Sequence, residues 1–133
     1  MELAKPVVLV ADDDPDIRFL FRIVLESDGY HVVDAADGAE AIALARQTLR
    51  PDVIVLDLSM PIMSGWEFLD ARTGDPWLAA IPVVVLSGMA SGVEGPWNAV
   101  VAKPFSLGEL VAAIERCRGA APTRGARSEL QGR

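Results

Sequence analysis

The sequence predicts an α/β domain built on a doubly wound, five-stranded parallel sheet with helices on both faces. Three observations carry this. Short apolar runs alternate with amphipathic stretches along the chain. Most of the runs are continuous rather than alternating in polarity, as expected of strands buried on both faces. The amphipathic stretches open at helix caps, at a spacing that suits right-handed β-α-β crossovers. The 133 residues, 51% of them hydrophobic, suit one domain with a buried core.

Each element has its own signal. "VVLVA" (7–11) is the first strand. Asp14-Pro15 then supplies an N-cap and a proline at the first helical position. Ile17, Leu20, Phe21, Val24 and Leu25 follow on one helical face, and Asp28-Gly29 ends it. "HVVDA" (31–35) is less apolar and suits a sheet edge. Asp37-x-x-Glu40 reads as a capping box. The helix it opens is expected to bury Ile42, Ala45 and Leu49 and to end before Pro51. "DVIVLD" (52–57) is the third strand, and Ser64-x-x-Glu67 caps the next helix.

"PVVVLS" (82–87) and "AVVA" (99–102) complete the sheet. Between them, Ser91-x-x-Glu94 resembles a cap, but Gly95-Pro96 follows at once. The fourth helix of the alternation, between these two strands, is therefore expected to be short or absent. Ser106-x-x-Glu109 opens a last helix that buries Leu107, Leu110, Val111 and Ile114 and ends near Gly119. Residues 1–118 form the expected domain. Residues 119–133 have no apolar period and carry three Arg against one Glu. A mobile tail without an output domain is expected there.

The formal net charge is -7 and the sequence pI is near 4.6. Nonspecific nucleic-acid binding needs a basic face, so none is expected. An acidic surface suits a cation or a basic partner. One cysteine, Cys117, permits no internal disulfide and fits a reducing, cytoplasmic setting. The N-terminal stretch turns acidic too soon for a secretory signal. Residues 76–93 are uncharged and just reach the length of a candidate membrane span. Pro82, Gly88 and the β-branched centre favour a buried strand instead, and no membrane contact is expected.

In an open parallel sheet, ligands sit outside the carboxyl ends of the strands. There the first strand ends on Asp12 and Asp13, the third on Asp57, the fourth on Ser87, and the fifth runs into Lys103. Three carboxylates in one place are costly without a counter-charge. A hard divalent ion such as Mg²⁺ supplies it through oxygen ligands. Asp14 is assigned to the helix cap. Metal, lysine and hydroxyl together are suited to phosphoryl transfer, and a carboxylate can be the nucleophile.

With "VADDDPDIR", "VIVLDLSMPIMSGWEFL", "VVVLSG" and "VVAKPF", the chain resembles a receiver domain of a two-component response regulator, over roughly residues 6–118. The resemblance implies a flavodoxin-like fold with strand order 2-1-3-4-5. It implies that Asp57 accepts a phosphoryl group from a sensor histidine kinase or phosphotransfer protein. Asp13, Asp57 and the Ser59 carbonyl would ligate Mg²⁺, with Asp12 acting through a water. Lys103 would pair with the phosphate, Ser87 would swing in to hydrogen-bond it, and Lys103-Pro104 would be cis. The output would be contact with an unidentified downstream protein rather than turnover of a substrate.

The chain departs from the family at Val100, where an aromatic switch residue is common, and in its short interval from Ser87 to Lys103. Partner binding is therefore expected on another surface, such as the first or last helix. A receiver-like module with a vestigial site is a second reading. A small Mg²⁺-dependent phosphohydrolase is a third, weakened by Asp16 standing where that pattern places Thr. A calcium loop from Asp12 fails at Ile17 and Ile23. His31, the only histidine, is expected at the surface away from the site. Packing is the default for Trp66 and Trp77; Trp97 could mark a partner surface, and Met89 could shield the phosphate. Cys117 is expected to pack on the last helix.

Overall fold

The computed structural model describes residues 5–47, 50–88 and 95–119. In chain order these form β1 (Val7–Ala11), α1 (Pro15–Ser27), β2 (His31–Ala35), α2 (Gly38–Ala45), β3 (Val53–Asp57), α3 (Gly65–Thr73), α4 (Pro76–Ala79), β4 (Val83–Ser87), β5 (Ala99–Ala102) and α5 (Leu107–Gly119). The strands are all parallel, in the order β2-β1-β3-β4-β5. The expected sheet is present, with "HVVDA" at an edge.

The continuous apolar runs are explained by two cores. Val8, Val10, Val53, Val55, Val84 and Leu86 face one side and pack with Phe21 and Leu25 of α1 and Leu110 and Ile114 of α5. Their neighbours Leu9, Ile54, Leu56, Val83 and Val85 face the other side, toward Ala41, Ala45, Phe68, Leu69 and Leu78. Successive strand side chains point to opposite faces, so both must be apolar when both faces are covered. Cys117 is buried in the first core, and His31 is exposed.

The caps behave largely as expected. Asp14 accepts from Asp16 N, and Pro15 opens α1. Ser64 with Glu67, and Ser106 with Glu109, make reciprocal capping boxes. Asp37 accepts from Glu40 N, but the Glu40 carboxylate returns to Ala36 N.

Several expectations need correction. Leu20 is 41% exposed rather than buried, because it lies at the edge of a stripe centred on Phe21 and Leu25. Phe19 and Ile23 are exposed beside it. α2 stops at Ala45 rather than just before Pro51. Gln47 N donates to Leu44 O, tightening the last turn, and Trp77 Nε1 donates to Ala45 O. Leu49 lies outside the described residues. The one-turn α4 was unexpected. Asp75 caps it, accepting from Trp77 N and Leu78 N, with Pro76 at its first position.

The expectations for Ser91 to Glu94, Met89 and residues 120–133 fall outside the described residues. The described residues 95–98 are not helical. Lys103-Pro104 is cis. Among the described residues, no helix is long and apolar enough to cross a membrane.

Candidate functional site

The parallel register brings the strand ends to one rim. Ala11 pairs with Leu56, Asp57 with Leu86, and Ser87 with Ala102. Lys103 N then donates to Ser87 O at 2.8 Å. Residues far apart in sequence thus meet because each directly ends or follows a neighbouring strand.

One carboxylate oxygen from each of Asp12, Asp13 and Asp57 lies within 4.8 Å of the others. Asp12 and Asp57 are 4% and 6% exposed, while Asp13 faces water. Burial pushes the Asp12 carboxyl above its ordinary pKa. A hydrogen bond from Asp14 N (2.9 Å) and the Lys103 charge oppose this; the charges of Asp57 and Asp13 add to it. The main chain of Asp12 is held too: its N–H donates to Ala35 O, and its carbonyl accepts from Arg18 Nη1 at 2.7 Å.

Asp57 Oδ1 lies 3.3 Å from Lys103 Nζ and accepts from Ser59 N at 3.2 Å. One ammonium thus stands against three carboxylates. The donor set is all oxygen and under-compensated in charge, so it fits a hard divalent cation such as Mg²⁺. Asp12, Asp13 and Asp57 could hold it. Ser59 is exposed beside Asp57.

A cavity of about 430 Å³ opens beside this cluster. Asp57, Ser59, Ser87 and Lys103 line it, with Met60 and Trp66. Ser87 is buried at the end of β4. Gly65 makes this arrangement possible. A Cβ there would fall 2.4 Å from Asp57 O and 2.7 Å from Leu58 Cα. Only glycine lets α3 start directly against the backbone of Asp57.

The site residues expected from the sequence therefore come together: Asp12, Asp13, Asp57, Ser59, Ser87 and Lys103. Other contributors were missed. Trp66 is not merely packed; it is 51% exposed and lines the cavity. Its ring meets Trp97 edge-on, with centroids 5.9 Å apart and planes at 61°. Trp97 is half-buried against the second core. Trp77 is 45% exposed. Val100, at the position of the absent aromatic, packs against the same core as Trp97.

Arg72 was missed as well. It is 8% exposed and donates to the carbonyls of Ile81, Ala79 and Pro96 and to Asn98 Oδ1. This ties α3 to the segment entering β5. Its only sequence signal is an arginine in the last turn of a helix, which normally reads as a surface residue.

Comparison with known proteins agrees with this geometry. Residues 8–115 match the response regulator receiver domain. The transcriptional regulatory protein PrrA of Mycobacterium leprae is 40% identical over 131 residues, which is 91% of this chain and 54% of PrrA. KdpE of Mycobacterium tuberculosis, another transcriptional regulatory protein, is 38% identical, over 94% of this chain and 55% of its own. The chain thus spans about half the length of the curated relatives it matches. The chemotaxis response regulator CheY4 of Vibrio cholerae superposes with a TM-score of 0.76 at 31% identity, covering 86% of this chain and 99% of that one. The receiver domain of a Pseudomonas aeruginosa sensor histidine kinase, solved with a magnesium ion coordinated in its active-site cleft, gives 0.75 at 27% identity, over 87% and 99%. Fold, strand-end cluster and sequence agree, and the chain belongs to the response regulator receiver family of two-component signalling.

Proposed function

We propose that the chain is a phosphoacceptor module, phosphorylated on Asp57 by a phosphohistidine of a sensor histidine kinase or phosphotransfer protein. The observation that carries this is the contact of Lys103 Nζ with Asp57 Oδ1 beside the Asp12–Asp13–Asp57 cluster. Asp57 is the nucleophile: one carboxylate oxygen attacks phosphorus, giving an acyl phosphate. Asp13, Asp57 and the Ser59 carbonyl would hold Mg²⁺, with Asp12 acting through a water; when bound, the ion would supply charge neutralisation for the phosphoryl oxygens. Lys103 moves from the free carboxylate to the new phosphate, and Ser87 donates a hydrogen bond to it.

The chain's only reactions are gain and loss of its own phosphoryl group, in a cytoplasmic setting. Its output is contact with a downstream protein. The acidic charge supports a receiver that does not itself touch nucleic acid. Output through α1 or α5 predicts that chemical-shift changes on phosphorylation extend to those helices. A response confined to residues 90–102 would overturn that part.

Intact mass after incubation with Mg²⁺ and acetyl phosphate, run beside Asp57→Asn, tests the core reading. One phosphoryl group is expected, absent from the variant and without Mg²⁺. No addition, with no Mg²⁺ binding, would favour the vestigial module. Continuous turnover of a small phosphoester would favour a phosphohydrolase.

A further inference from the structure

We propose that Trp66 determines donor specificity: its indole is the wall on which the donor's imidazole rests while the P–N bond breaks. This deepens the function proposed above and rests on it.

The cavity beside Asp57, about 430 Å³, falls in the size range of small-molecule sites. It exceeds what a phosphoryl group fills, so part of the donor fits inside. Asp57, Lys103 and Trp66 all line it. The backbone fixes this placement. Gly65 abuts Asp57 O so closely that not even a Cβ fits between them, and residue 66 follows directly.

The indole is braced by a second ring. Trp97 meets it edge-on, and Trp97 is held through its neighbours. Pro96 O accepts from Arg72 Nη1 at 3.0 Å, and Asn98 N donates to Val83 O at 2.9 Å. Trp97 also folds back over Gly95, where a Cβ would lie 2.3 Å from its Cη2. Even so, Trp66 stays 51% exposed. A large apolar ring held half in water beside a charged acceptor contributes little to the core. Part of the ring lines the cavity that Asp57 and Lys103 also line.

The chemistry suits an imidazole. An N-phosphoimidazole protonated on its second nitrogen carries positive charge on the ring. As an Asp57 oxygen bonds to phosphorus, the P–N bond breaks and its electron pair returns to nitrogen. The ring keeps its other proton and leaves as neutral imidazole. Until then it is a flat cation, which an indole face attracts. A donor whose leaving group is acetate has neither ring nor positive charge, and gains nothing from Trp66.

The test compares rates of Asp57 phosphorylation by N-phosphoimidazole and by acetyl phosphate, both with Mg²⁺, in the wild type, Trp66→Ala and Trp66→Phe. Trp66→Ala should slow transfer from N-phosphoimidazole about fivefold and leave transfer from acetyl phosphate within about twofold. Trp66→Phe, which keeps a ring, should retain most of the imidazole rate. Equal losses with both donors, or no loss with either, would overturn the proposal. So would a wild type that accepts from acetyl phosphate but not from N-phosphoimidazole. A wild type phosphorylated by neither would overturn the phosphoacceptor reading itself, and this inference with it.

Discussion

Two buried charges, Asp12 and Arg72, show how differently one small domain handles the same cost. Burial disfavours the ionised form of each, raising the pKa of Asp12 and lowering that of Arg72. Arg72 meets only oxygens: three carbonyls and the Asn98 amide oxygen. Neutral dipoles solvate it in place of water. Asp12 instead faces Asp13 and Asp57, with one lysine among three carboxylates. The compensated charge fastens the fold. The under-compensated one leaves a place for a cation.

The comparison is broken most directly at Arg72. Arg72→Met keeps much of the side chain's bulk but removes all of its hydrogen bonds to carbonyls, that of buried Ile81 among them, and should cost about 3 kcal/mol. Denaturant unfolding measures this. A loss near zero would mean that those carbonyls find water instead.

At the other pole, Mg²⁺ should stabilise the wild type by about 2.7 kcal/mol at a hundred times its Kd. Asp13→Asn, a change at an exposed side chain, should lose most of that gain. Asp12→Asn keeps an oxygen for Asp14 N and removes the buried charge. It should stabilise the metal-free protein by about 1 kcal/mol. Thermal melts with and without Mg²⁺ separate these outcomes.

Tyr30 sharpens the comparison as an intermediate case. Burial, then its hydrogen bond to Glu115, raises its pKa from 10.0 to about 12. The folded state holds the phenol proton more tightly than the unfolded state does. That stabilisation is complete below pH 10 and is lost as pH rises through 12. It is worth about 1–2 kcal/mol once discounted for the exposed Glu115. Tyr30→Phe should flatten stability across that window.

The smallest effect concerns backbone rather than charge. Ile62 holds φ at 67°, a region β-branched residues avoid, and is 85% exposed. Ile62→Asn should stabilise by about 1 kcal/mol with no effect on Mg²⁺ binding. Unchanged stability would show that the loop relaxes around isoleucine.

The site was more legible than its surroundings. Asp12, Asp57 and Lys103 could be found because a parallel sheet collects its strand ends on one rim, and strand ends are local features. Asp52, which accepts from Val7 N at 2.7 Å, and Arg72 could not. Their partners lie on other elements, and nothing in their own neighbourhood marks them. The Asp75-Pro76 turn was legible by the same rule that located Asp14-Pro15, but its helix is one turn long, too short for an apolar period. Packing is the default for Trp66, whose helical position alone does not say which neighbour leaves it uncovered.

By itself, the sequence determined the elements and the rim. Apolar runs, caps and breakers act over a few residues, and the parallel topology follows from their alternation. Only the tertiary structure decided which charges are compensated and which are not, and that the Trp66 ring lines the cavity beside Asp57. Those outcomes depend on distances between residues remote in sequence. Gly65 joins the two levels: its identity is read locally, but only the packed structure shows that the missing Cβ brings Trp66 to the rim of Asp57.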